Sequence, residues 1–250
     1  KTKNIIKEKI IKSNELIDIK NLPNRILQLK GNNFIVDDRS CSIHFENIIK
    51  SKFKIIKRED PTYLFKAIKN KIEIRNMINA HILDGAALTK FIYWIKNVNK
   101  KKISEIQAQN KLESFRKLNK NYLYPSFDTI SGSGKNGAIV HYRAQKGKSK
   151  IIKKKDIFLC DSGGQYKYGT TDVTRTICFS TPNLNIKNVF TRVLKGHIAV
   201  VSSNLKKYDI GKKIDVRARK YLKNINLDYA HGTGHGVGFF LNVHEGPQSI

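Results

Sequence analysis

The chain has 250 residues and a formal net charge of +28, with Lys and Arg at 48 positions against 20 Asp and Glu. That length suits one large domain, or one domain with part of another, and no apolar run approaches the roughly 20 residues that span a bilayer. Successive fifties carry net charges of +4, +7, +8, +5 and +4, so the basic excess is spread rather than gathered into a nucleic-acid-binding stripe. No specific nucleic-acid partner and no membrane partner is expected. Lys100-Lys101-Lys102 and Lys153-Lys154-Lys155 read as solvated turns. The three cysteines Cys41, Cys160 and Cys178 form no close pair, which argues against a disulfide framework or zinc knuckle and for a reducing, cytoplasmic compartment.

In chain order, residues 1 to 68 read as mixed structure. Phe34-Ile35-Val36 and Phe53-Lys54-Ile55-Ile56 look like short strands, the second closed by Asp60-Pro61. From Glu73 to Val98, apolar residues recur at helical spacing: Ile74, Met77, Ile78, Leu88, Phe91, Ile92, Ile95 and Val98 read as a core-facing stripe. Ser104-Glu105-Ile106-Gln107 is a capping box that opens a second helix toward Leu118. Ser131 to Gly137, rich in glycine and serine, reads as a flexible turn, because it lacks the Gly-Lys-Ser/Thr ending of a phosphate loop. Ala138-Ile139-Val140-His141-Tyr142 then reads as a strand. Two further helices are expected, from Val189 to Val201 and from Ile214 to Leu222.

The apolar runs Ile157 to Cys160 and Ile177 to Phe179 flank a glycine-containing segment and predict a β-hairpin. Asp161 and Asp172 lie on its two sides, eleven residues apart, in a fifty-residue window with only one other acidic residue. A turn centred at Tyr166-Lys167 would set them directly opposite, with Cβ atoms about 5 Å apart. Carboxylates that close need a proton or a cation between them.

His231-Gly232-Thr233-Gly234-His235-Gly236-Val237-Gly238 comes next, with His244-Glu245 close behind. The four-residue His spacing suggests a helical zinc-protease pair, but no Glu follows the first His and the alternating glycines disfavour a helix. They suit an extended segment whose backbone meets something closely. Asp, Asp and His together form an oxygen and nitrogen donor set suited to Mn, Co, Fe or Zn, and two such metals sharing a hydroxide would make a hydrolytic site.

Asn136 to Tyr142, the string DSGGQYKYGTTDVTRT, then HGTGHGVG and NVHEGP stand in one order, and together they resemble the Xaa-Pro aminopeptidases (aminopeptidase P). This is the proline-specific branch of the metallopeptidases that include methionine aminopeptidase, prolidase and creatinase. The resemblance covers roughly residues 65 to 250. It implies an α/β (α+β) pita-bread catalytic domain over 69–250, preceded over 1–68 by the end of a creatinase-like domain. It implies two divalent metals, Mn(II) by preference, with Asp161, Asp172 and His235 as ligands, Asp172 bridging both. His141, His231 and His244 match the histidines that hold substrate and stabilise the tetrahedral intermediate. The implied reaction is hydrolysis of the first peptide bond of substrates with proline second, by a hydroxide bound between the two metals. Related enzymes are often dimers, so a homodimer is also expected, without an identified interface.

The family uses two further glutamate ligands beyond the last histidine motif, past Ile250. The chain is therefore expected to be a piece of a longer protein, binding metal weakly and turning over little by itself. A non-catalytic or decayed module of the same fold is the alternative.

Overall fold

The computed structural model describes residue 12, residues 16–98 and residues 102–250. Lys100 and Lys101, with much of the stretch before Ile17, lie outside them. Lys153-Lys154-Lys155 is exposed and leads into a turn, as expected. The chain divides into two compact units, Lys1–Tyr63 and Leu64–Ile250.

In the first unit, helix α1 (Leu22–Gln28) precedes a βαβ arrangement of β1 (Asn33–Val36), α2 (Ile43–Lys50) and β2 (Lys54–Lys57). The two strands pair in parallel, and Val36, Ile49 and Phe53 form their small core. Ser42 caps α2 by accepting from the Phe45 amide, as serine does at helix starts.

The first long helix of the second unit is the 27-residue α3 (Lys71–Asn97), opened by an Asn70–Glu73 capping box. Helix α4 (Glu105–Arg116) opens with the Ser104–Gln107 box seen in the sequence. Strands β3 (Tyr122–Pro125), β4 (Ile130–Ser133), β5 (Ile157–Ser162), β6 (Gly164–Tyr166), β7 (Gly169–Thr170) and β8 (Val173–Cys178) follow, then α5 (Leu184–Val201), α6 (Gly211–Lys223), β9 (His235–Val237) and β10 (His244–Ser249). The strands form one sheet ordered β4-β5-β8, a second ordered β3-β6-β7, and the β9–β10 pair.

Along β5, alternate residues Phe158, Cys160 and Ser162 are buried. Phe158, Cys160 and Ile177 pack against Leu88, Phe91 and Ile95 of α3 and Ala108 and Leu112 of α4. The helices thus cover one face of the sheet, and Asp161 belongs to the other by the two-residue period of a strand. Burial pushes the Cys160 thiol up to about 12, which makes it an inert core residue rather than a nucleophile.

Three expectations need correction. The α3 stripe holds for Leu88, Phe91 and Ile95, but Ile74 and Ile78 are 49 % and 56 % exposed. The buried line runs Ala80, Asp84, Ala87, Leu88, Phe91, Ile95, while Ile74, Ile78 and Ile82 form a separate ridge beside Val237. Residues 131–133 are not a flexible turn: Ser131 and Ser133 are fully buried in β4, paired with Cys160 and Phe158. Residues 138–142 are not a strand. A 3-10 helix, Gly134–Ala138, runs into an irregular arch in which His141 adopts φ 55. Polar residues fill the β4 interior because hydrogen bonds satisfy them there, a pattern that apolar periodicity does not record.

Candidate metal centre

The hairpin forms, but with another register. β5 and β8 pair antiparallel, and Asp161 stands opposite Thr174, not Asp172. The inner pair, Gln165 with Thr170 and Tyr166 with Gly169, turns at Lys167-Tyr168, one residue later than expected. A shift of two in the partner preserves the face, so Asp161 and Asp172 remain diagonal neighbours on one side of the sheet. Gly163 separates β5 from β6 because there is no room for a side chain: a Cβ there would lie 1.9 Å from the Thr171 carbonyl oxygen and 2.2 Å from Ser126 Oγ.

The face carries the electrostatics of a cation site. Burial pushes the Asp161 carboxyl above its ordinary 3.8 and repulsion from Asp172 adds to this, while a Thr174 hydrogen bond and the His235 and His141 rings oppose it. Asp161 Oδ1 is buried with no hydrogen-bond partner. Asp172 Oδ2 lies 3.2 Å from His235 Nε2.

His235 Nδ1 contacts the Gly236 carbonyl oxygen at 2.8 Å. A carbonyl only accepts, so Nδ1 carries the hydrogen, and a neutral ring then presents the Nε2 lone pair to a carboxylate oxygen. Two acceptors facing each other require a proton or a cation between them. A histidine anchored through its other nitrogen to a backbone carbonyl is the usual orientation of a metal ligand. Among the described residues, no group of three or more His, Cys, Asp or Glu side chains yet closes on a single ion. The donor set fits a metal as a partial set: a facing Asp–His pair and an orphaned Asp oxygen beside it.

Of the four alternating glycines, Gly236 and Gly238 act as expected, while at Gly232 and Gly234 the nearest atoms to a Cβ would stand at 3.4 and 3.6 Å. A Cβ at Gly236 would lie 2.4 Å from the Glu245 carbonyl oxygen, and one at Gly238 would lie 2.3 Å from that of Asn242. This close approach lets β9 lie against β10 and sets His244 beside His235, with ring centroids 4.1 Å apart. His141 meets His244 edge-on at 6.4 Å. Burial, then the neighbouring His235, pushes His244 below its ordinary 6.5. A cleft of about 610 Å³ opens beside His244, lined by Tyr124, Ser126, Gln165 and Phe240 among others.

His231 is not brought to this group. Its ring stacks on Tyr229 at 4.7 Å, and Arg219 donates to its carbonyl oxygen at 2.8 Å. Arg219 also pairs with Asp215 and Asp228 and so braces the segment entering β9. Beneath the hairpin, Arg116 donates to Asp84 through Nε at 2.6 Å and Nη2 at 3.0 Å, and to Ser162 Oγ at 3.0 Å. Tyr166 donates to Asp84 at 2.8 Å. Lys69 pairs with Glu245, next to His244. None of these supports was found from sequence. Asp84 and Arg116 lie 32 residues apart and Lys69 and Glu245 176 apart, whereas Arg219 meets Asp215 at the local four-residue spacing of a helix and Asp228 nine residues on, so that spacing and the charge at Asp84 within an apolar helix were the visible signals.

A model of metallopeptidase family M24 matches residues 75–250. A probable Xaa-Pro aminopeptidase P of Podospora anserina is 52 % identical over 188 residues, which covers 74 % of this chain and 28 % of that one. Another, of Laccaria bicolor, is 45 % identical over 229 residues, with coverages of 90 % and 35 %. The chain spans about a third of the length of these curated relatives. Among solved structures, an X-prolyl aminopeptidase from Caenorhabditis elegans, described as a cytosolic enzyme with a di-nuclear active site, superposes with a TM-score of 0.74 at 36 % identity, covering 82 % of this chain and 34 % of that one. The prolidase of Pyrococcus horikoshii superposes with a TM-score of 0.74 at 26 % identity, covering 92 % and 65 %. The α/β architecture is thus that of the pita-bread peptidases.

Proposed function

The chain belongs to metallopeptidase family M24, and we propose that its protein hydrolyses the first peptide bond of peptides with proline at the second position, with two divalent metals, Mn(II) by preference. The observation that carries the proposal is the 3.2 Å approach of His235 Nε2 to Asp172 Oδ2, with Nδ1 of the same ring at the Gly236 carbonyl and Asp161 on the same face. Asp161, Asp172 and His235 would hold metal. When bound, the metals supply Lewis-acid polarisation of the scissile carbonyl and an activated water.

The chain's own residues do the rest. His244, held below its ordinary pKa, is neutral at pH 7 and offers an N–H to the substrate carbonyl oxygen as negative charge develops there. His141, edge-on to it, is a second donor on the same side. His231 is the third candidate substrate contact, at the other end of its segment. The cleft beside His244 would take the peptide, with Tyr124 and Phe240 as apolar walls. A cytosolic location is proposed on the free cysteines and on the description of the C. elegans relative.

The test supplies the full-length protein with Mn(II) and follows release of the first residue from Xaa-Pro dipeptides and from longer Xaa-Pro peptides. Cleavage of the longer peptides is expected, and Asp172→Asn should lower it more than about 100-fold, beyond the range for residues that merely support a ligand. Unchanged turnover in that variant would remove Asp172 from the metal site. Cleavage confined to dipeptides would make the protein a prolidase. The second reading, a non-catalytic module, is favoured by the lack of a closed three-ligand cluster among the described residues. No cleavage and no Mn(II) uptake by calorimetry would select it.

A further inference from the structure

His141 adopts φ 55, a left-handed conformation that costs a non-glycine residue on the order of 1 kcal/mol or more and persists only where the surroundings impose it. Apolar packing does not impose it here. Ile139 and Val140, which a strand would bury, are 54 % and 53 % exposed. The restraint is polar. The fully buried carboxylate of Glu105, at the first turn of α4, accepts from four groups that span the arch. Ser133 N donates at 2.8 Å, Asn136 Nδ2 at 2.9 Å, the Tyr142 hydroxyl at 2.8 Å and Lys150 N at 2.9 Å. Asn136 also donates to the Tyr142 hydroxyl at 2.8 Å, which closes a ring of three side chains. Asn136 lies before His141 and Tyr142 directly after it, so both sides of the arch are tied to one anchor.

We propose that Glu105 is a positioning residue for His141, which through Asn136 and Tyr142 sets the imidazole edge-on to His244; the catalytic consequence rests on the peptidase reading, the geometry does not. Every group on the anchor is a donor, so it must be a pure acceptor, and among side chains of this shape only the ionised carboxylate is one. Glutamine would turn an NH2 toward those donors and leave at least one buried group unsatisfied. Burial and the bond to Glu105 push the Tyr142 phenol up to about 12, so it remains a donor throughout the physiological range.

The experiment compares Tyr142→Phe and Glu105→Gln with the unaltered sequence, each in the full-length protein. Imidazole NMR, assigned with His141→Gln, follows the ring-proton cross-peak between His141 and His244. Kinetics with Mn(II) give kcat and KM separately. Both variants should lose the cross-peak while circular dichroism is retained. Both should lower kcat about 10- to 100-fold, the range for residues that orient a functional group, with little change in KM. Glu105→Gln should be no milder than Tyr142→Phe despite its conserved shape. Should Glu105→Gln fail to fold, Tyr142→Phe decides alone. A retained cross-peak and kcat in Tyr142→Phe would overturn the inference. If the unaltered full-length protein cleaves nothing, the peptidase reading fails, and the cross-peak still decides whether Glu105 positions His141.

Discussion

The β5–β8 hairpin and the arch around His141 deliver polar side chains to the same neighbourhood and are held there by opposite means. The hairpin presses Phe158, Cys160 and Ile177 onto two helices, and Asp161 rides on the reverse face as a consequence of the strand period. The arch has exposed apolar residues and hangs from the buried Glu105 carboxylate. One region is built by removing apolar surface from water, which tolerates small slips. The other is built by satisfying a buried charge, which depends on each donor.

The comparison breaks most severely at the polar pair hidden beneath the hairpin. Asp84→Ala leaves the fully buried Arg116 guanidinium without its carboxylate and should cost about 3–5 kcal/mol by urea unfolding. A loss below about 1 kcal/mol would mean that apolar packing alone holds the hairpin. Next comes Gly163→Ala, which forces a methyl group against the Thr171 carbonyl and should cost about 1–3 kcal/mol. Spreading the strands there should also weaken Mn(II) uptake in calorimetry, and unchanged uptake would show that the two aspartates do not depend on the tight crossing.

Asp161→Asn sharpens the contrast between fold and function. The Asp161 carboxyl is held above its ordinary 3.8, so the folded protein binds that proton more tightly than the unfolded chain. In the metal-free protein its contribution to stability is therefore present below 3.8 and is lost as pH rises through the raised value. Asp161→Asn should raise the metal-free Tm at pH 7, with the gap closing as pH falls toward 3.8. The same variant should lose the Mn(II)-induced rise in Tm. A lower metal-free Tm at pH 7 would show that the carboxylate is not a stored cost. The smallest effect belongs to the arch: Val140→Ser, at a half-exposed position, should change stability by no more than about 0.5 kcal/mol. A loss of 2 kcal/mol would mean that Val140 is packed like a strand residue.

The difference between the two regions also explains what could be read beforehand. The apolar runs 157–160 and 177–179 announced β5 and the end of β8, and the face shared by Asp161 and Asp172 survived an error of two in their register, because the face repeats every second residue. Capping boxes at Asn70 and Ser104 are complete within four residues, so α3 and α4 were legible locally for α4 and by periodicity for α3. Ser131 and Ser133 were misread because serine in a loop and serine on a buried strand look alike in sequence. Their partners, Glu105 and Asp156, lie more than twenty residues away along the chain.

By itself the sequence determined the α/β class, the main helices, the hairpin, the family and a short set of acidic and histidine residues from which a site could be assembled. These follow from local periodicity, capping and motif spacing, all expressed within a few residues. Only the tertiary structure decided that Asp161 faces Thr174, that His235 presents Nε2 to Asp172, that His231 stands apart on Tyr229, and that Glu105 carries the arch of His141. Those outcomes depend on which polar groups lose water together. That is settled by packing distant segments against one another, and no local pattern encodes it.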